Sequence, residues 1–132
     1  LYMTKKYGSG GPEPLYPRTL EGEAEVWRWT LWVQGQLEPW VQRDALMADV
    51  LTAIRNHSSG FVDRALDHLE ATLGRRQWLA ADHFTVADLN VAAVLSPSRA
   101  AHLDFSARPE TRDWLSRCYS RPAAVAVRQR FG

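Results

Sequence analysis

A single cysteine in 132 residues, Cys118, excludes an internal disulfide framework and a thiolate metal cluster and suits a reducing compartment. Neither sign of charge is in excess. The 16 basic and 15 acidic residues give a formal charge of +1 and are scattered along the chain, which leaves no electrostatic footprint for nucleic acid or a membrane surface. No apolar run approaches the length of a membrane span, and the opening LYMTKKYGSGGPEP has neither the apolar core nor the cleavage site of a signal peptide. A soluble, cytoplasmic chain is expected. Strand-like alternation of β-branched residues is missing, and so are internal repeats and low-complexity tracts. There is no GxSxG elbow for a serine nucleophile and no Gly-Lys-Ser/Thr ending for a phosphate loop. The four histidines, His57, His68, His83 and His102, have no His or Cys partner at metal-ligand spacing, so no metal site is expected.

What is present reads as one all-α domain of ordinary composition, 45% hydrophobic and 23% charged. LYMTKKYG resembles the last turns of an amphipathic helix, with Lys5 and Lys6 at its C-terminal end and Gly8 where a left-handed cap would fall. A helix end without its beginning suggests a cut chain. GSGGPEPLYP, residues 8–17, is rich in Gly and Pro and reads as a linker. About five main helices follow. The first, over 19–43, opens with Glu21, Glu23 and Glu25, acids that favour the positive end of a helix. At about 100° per residue, Val26, Trp29, Val33, Leu37 and Trp40 share one stripe, and Trp27, Leu31, Gln34 and Glu38 share a second. One stripe suits the core; the other needs a different neighbour. Pro39 predicts a kink near Gly35 to Pro39.

Residues 44–57 are mixed, with only weak helical character. A second long helix is predicted over 59–77, with Phe61, Ala65, Leu66, Leu69 and Leu73 inward and a solvated face of Asp63, Arg64, Asp67 and Glu70. Further helices are predicted over 86–96, 109–120 with Trp114, Leu115 and Cys118 inward, and 122–130. Pro109 and Pro122 suit first-turn positions, where a missing N–H costs nothing. Cys118 reads as a small core residue. Among the tryptophans, only Trp27 and Trp32 point away from the first helix's core face.

The stretch ADHFTVADLNVAAVL carries a local start signal. Thr85 at the N-cap and Asp88 three residues on have the spacing of a capping box, and Phe84 and Leu89 that of a hydrophobic staple. Such a cap accounts for Asp88 without catalysis, because a carboxylate bonded to backbone N–H groups stays ionised and is a poor proton shuttle. Its loss is expected to cost about 1 kcal/mol, or somewhat more when buried.

WLAADHFTVADLNVAAVL resembles the capping box and staple that open the buried sixth helix in the C-terminal domain of the glutathione transferase superfamily. LYMTKKYG resembles the end of the third helix of that family's thioredoxin-like N-terminal domain, GPEPLYP its interdomain linker, WRWTLWVQGQLEPW its fourth helix, and WLSRCYSRPAAVAVRQ its last helices. The resemblance implies a remnant of the N-terminal domain over 1–17 and a C-terminal-like domain over 18–132. It also implies that the catalytic Tyr, Ser or Cys, the cis-proline and the acid-Ser pair for glutathione lie upstream of Leu1. This chain then holds no catalytic residue and no cofactor, and is expected to be inactive alone. Glutathione is the implied co-substrate of the intact protein and a small apolar electrophile its substrate. Trp27, Leu31, Gln34, Gly35 and Glu38 are the candidates for the substrate cleft or a homodimer interface, although Leu31 and Pro39 stand where some bacterial members place polar groups. The alternative is a non-catalytic helical scaffold of the same superfamily.

Overall fold

The computed structural model describes residues 1–41, 48–101 and 103–131, with 48–59 and 131 described by backbone alone. Helices and connecting loops make up all of it, without a strand among the described residues. The helices are α1 (Tyr2–Tyr7), α2 (Leu20–Trp32), a π turn (Val33–Leu37), α3 (Glu38–Val41), α4 (Ala48–Leu73), α5 (Val86–Val94), α6 (Pro97–Ala100), α7 (Pro109–Ser120) and α8 (Pro122–Phe131).

α5 is the axis of the fold. Val86, Ala87, Asp88, Val91, Ala92 and Val94 are all buried, and the helix packs against α2 and α7, while α4 packs on α7 and the π turn. Trp29, Leu37, Leu66, Leu69, Leu79 and Trp114 are among the largest fully buried side chains. Each contributes about 1.5–3 kcal/mol by leaving water. Among the described residues the indole N–H of Trp29 finds no acceptor.

The inward stripe of α2 holds for Val26, Trp29, Val33 and Leu37, whereas Trp40 is only half-buried and stacks on Phe61 at 6.5 Å. The helix begins at Thr19, whose hydroxyl oxygen accepts the Gly22 N–H at 3.1 Å. Gly22 is required there, because a Cβ would stand 2.5 Å from that of Pro17. The acids of the first turns also work across elements. Glu23 accepts from Lys5 of α1 and from the Tyr16 hydroxyl, and Glu25 pairs with Arg28 and Arg76. The kink expected at Gly35 to Pro39 is a π turn two residues earlier. Pro39 has no N–H to continue the ladder, and the Glu38 N–H bonds the carbonyl of Val33, five residues back.

Other expectations need correction. Residues 48–57 belong to α4, where a long packed helix overrides weak local preference; 44–47 lie outside the described residues. α4 stops at Leu73, short of Gln77, as Gly74 begins a turn. Phe61 is 54% exposed and Val62 takes the inward place, because two adjacent apolar residues leave the phase of the stripe open. Trp32 is not turned away but partly buried, edge-on to Trp29 at 5.0 Å. α5 ends at Val94 because Pro97 holds Ser96 extended. Gly8 has φ −99° and is no left-handed cap; glycine serves there because a Cβ would meet the Thr4 carbonyl oxygen at 2.6 Å. The stretch 8–17 is docked: Tyr16 is buried, its N–H bonds the Gly8 carbonyl, and the Leu15 carbonyl accepts the first amide of α5, Val86, at 2.8 Å.

Candidate functional site

Local sequence brings Thr85 and Asp88 together at the start of α5. Asp88 Oδ2 accepts the Thr85 N–H at 2.9 Å and the Thr85 hydroxyl at 3.1 Å, while Thr85 Oγ1 accepts the Ala87 N–H at 3.3 Å. Two further donors come from elsewhere. Asp88 Oδ1 accepts the Leu79 N–H and the Trp114 indole N–H, each at 3.0 Å. Asp88 is fully buried. Burial pushes its pKa above the usual carboxyl value, and the four donors pull it back. On balance desolvation outweighs the bonds. The carboxylate joins three pieces of chain.

Phe84 is buried, edge-on to Trp78 at 5.6 Å and beneath the Arg121 guanidinium at 3.9 Å. Leu89 is 46% exposed and lines, with Phe84, Leu15, Cys118 and Val127, an apolar groove of about 630 Å³ between α5 and α8. Cys118 is buried on this groove's floor; burial and then the Asp88 charge push its thiol up to about 12. It has no thiolate character at neutral pH.

The outward stripe meets a different cleft, of about 370 Å³. Trp27, Gln34 and Glu38 line it, together with Leu1, Asn90 and Arg99. Its floor is tied by the Asn90 amide donating to the Thr30 hydroxyl at 2.9 Å, and at its edge the Arg99 guanidinium stands 3.8 Å from the Glu38 carboxylate. Leu31, 61% exposed, and Gly35 lie outside the lining, and among the described residues no other side chain approaches within 4 Å of where a Cβ of Gly35 would stand. Sequence reasoning missed Thr30, Asn90 and Arg99. The signals were a lone amide in the most apolar helix and a Ser-Pro helix start at Ser96 and Pro97 that carries Arg99.

The face of α4 read as solvated is also occupied. Arg108 pairs with Asp63 at 3.0 Å and Asp67 at 2.8 Å. Glu70 accepts the N–H groups of Glu110 and Thr111 and the Thr111 hydroxyl, at 3.0, 2.8 and 2.7 Å, capping α7 from another helix. Among the described residues no three His, Cys, Asp or Glu groups converge as metal ligands, and no helix is long and apolar enough to cross a membrane. The side chain of His57 and all of His102 lie outside the described residues.

The family described as Glutathione S-transferase, C-terminal domain, matches residues 47–122, more than half of the chain. Glutathione S-transferase D7 of Anopheles gambiae is 41% identical over 54 residues, which are 41% of this chain and 25% of that protein. Glutathione S-transferase 1-6 from Anopheles dirus species B superposes with a TM-score of 0.76 over 98% of this chain and 61% of its own, at 23% identity. A possible glutathione S-transferase from Rhodopseudomonas palustris gives 0.71 over 82% of this chain and 52% of its own, at 25% identity. The chain spans a quarter of the curated relative and roughly half to three-fifths of these two structures.

Proposed function

Because this chain belongs to the glutathione S-transferase family through its C-terminal domain, we propose that it is the substrate side of a glutathione transferase. In the intact protein, residues 1–17 join a thioredoxin-like domain to the helical domain, 18–132. The glutathione thiolate, activated on that other domain, attacks an apolar electrophile seated against the helices. The observation that carries this reading is the cleft gathering Trp27, Gln34 and Glu38 beside Leu1. A half-exposed indole beside polar groups provides a flat apolar wall with a few directing contacts, the composition of a small-molecule site. The 630 Å³ groove between α5 and α8 is suited by its apolar lining to seat the partner domain. Exposed Trp27, Leu31 and Phe61 on α2 and α4 support a homodimer. A cytoplasmic setting follows from the same reading.

The test compares the chain alone with a form carrying a thioredoxin-like domain ahead of Leu1, assayed with glutathione and an aryl halide. The short chain should stay at the uncatalysed rate and the longer form should turn over. In the longer form Trp27→Ala should raise KM for the electrophile more than for glutathione. Turnover by the short chain sinks the division of labour, an unmoved electrophile KM sinks the cleft, and an inactive longer form favours the scaffold.

A further inference from the structure

His83 stands between two acceptors. Its Nδ1 lies 2.7 Å from Asp82 Oδ1 and its Nε2 lies 2.9 Å from the carbonyl oxygen of Pro14. A carboxylate and a peptide carbonyl can only accept, so both ring nitrogens must carry protons for both bonds to form. That describes the imidazolium. A neutral ring keeps one N–H and turns a lone pair toward the other acceptor, and the neutral donor that remains is about half as strong as a charged one.

The place matters because Pro14 belongs to the stretch 8–17, and His83 to the loop leading into α5. The neighbouring peptide bond, Leu15, already accepts the Val86 N–H. The strap therefore closes on the same seat as the first amide of α5. We propose that His83 is a proton-operated strap, which as an imidazolium holds the 8–17 stretch against the entrance of α5 and on losing its proton loosens it. The 8–17 stretch is then seated more firmly on the helices in mildly acidic than in alkaline solution.

The surrounding charges are consistent with this. Asp82 faces the ring from its own loop and Glu13 acts on it from the linker. Across the adjoining cleft of about 480 Å³ stand Arg18, Glu21 and Glu25, from the linker and α2, and Arg76, from beyond α4. Arg76 is paired with Glu25 and Arg18 holds the Ser9 and Gly11 carbonyls, and the charges that act on the ring are those of Asp82 and Glu13. Burial lowers the affinity of His83 for its proton, but Asp82 and the Pro14 carbonyl outweigh it and lift the pKa above 6.5. A raised folded-state value gives stabilisation that is full below 6.5 and is lost as pH rises through the folded value.

The experiment is a titration of the ¹⁵N-labelled chain from about pH 5 to 9, following the imidazole and the backbone amides. The ring of His83 should titrate above 6.5, and the amides of Leu15, Tyr16 and Val86 should shift with the same midpoint. Protection of the Val86 amide, corrected for intrinsic exchange, should fall about threefold on the alkaline side. His83→Gln keeps a donor toward Pro14 and cannot titrate, so it should flatten these curves; His83→Ala should lower protection at every pH. Asp82→Asn should lower the midpoint without abolishing the transition. A midpoint at or below 6.5, or linker amides that still titrate in His83→Gln, would overturn the proposal.

Discussion

α5 and α7 begin in opposite ways. α5 is capped by its own first turn, through Thr85 and Asp88, while α7, with Arg108 at its N-cap and no side-chain cap of its own, borrows Glu70 from forty residues earlier. The first carboxylate is fully buried and the second is half-exposed. Their protons accordingly respond in opposite directions. Desolvation wins at Asp88, which is raised. At Glu70 burial also pushes upward, but the Thr111 hydroxyl and the N–H groups of Thr111 and Glu110 hold it below the usual range. A helix start can be secured equally by neighbours in sequence or by neighbours in space; the surroundings of the acid decide how the cap answers to pH.

The hardest way to break the comparison is Asp88→Ala. Removing it strands the amides of Thr85 and Leu79 and the Trp114 indole in a buried site, so the loss should be about 3–5 kcal/mol, well beyond that of a simple cap. A urea melt should show it as a large drop in midpoint at unchanged slope; a loss near 1 kcal/mol would mean that water enters and satisfies those donors.

Glu70→Ala comes next. It strips α7 of a three-bond acceptor that is partly open to solvent, and about 2 kcal/mol is expected. The pH dependence sharpens the contrast. A depressed folded value gives stability that is present above the unfolded value near 4.5 and lost as pH falls through the folded one. Asp88 behaves oppositely, because the folded chain takes up that proton before the unfolded chain does, so acidification from its raised folded value down to the unfolded 3.8 favours folding through Asp88. Melts of Glu70→Gln in acid should therefore show a shallower decline than the parent.

Thr85→Ala should cost about 1 kcal/mol, and less than its own value on top of Asp88→Ala, since the two side chains share bonds. Thr85→Ser keeps the acceptor and should be the mildest change. Thermal melts of these variants and the double mutant give the coupling; strict additivity would mean that Thr85 and Asp88 act separately.

Legibility followed the same division. The starts of α2, α5, α7 and α8 were readable because Thr19, Thr85, Pro109 and Pro122 act on the turns beside them. The family was readable for the same reason, its marks being contiguous stretches. Glu70, and the Arg108 pairs with Asp63 and Asp67, looked like a solvated face, since nothing within a turn of them reveals a partner forty residues away. The cleft was half legible. Trp27, Gln34 and Glu38 follow from helical spacing, whereas Gly35 lies outside the lining, and Asn90 and Arg99 arrive from other helices.

The π turn has a bearing on chain length. Such a turn is an α-helical turn holding one residue more than it needs, so Val33–Leu37 marks where the rod from Leu20 to Val41 is a residue too long. Deleting Gly35, which touches nothing through a side chain, lets the two halves rejoin with Leu37 and Val41 still facing inward. The one residual strain is the Pro39 ring against the carbonyl four residues back. A deletion at Ala24 has no such slack, and turns Val26 and Trp29 by about 100° out of their places relative to Thr19. In descendants of this chain, gain or loss of a residue in this rod should concentrate at that single turn.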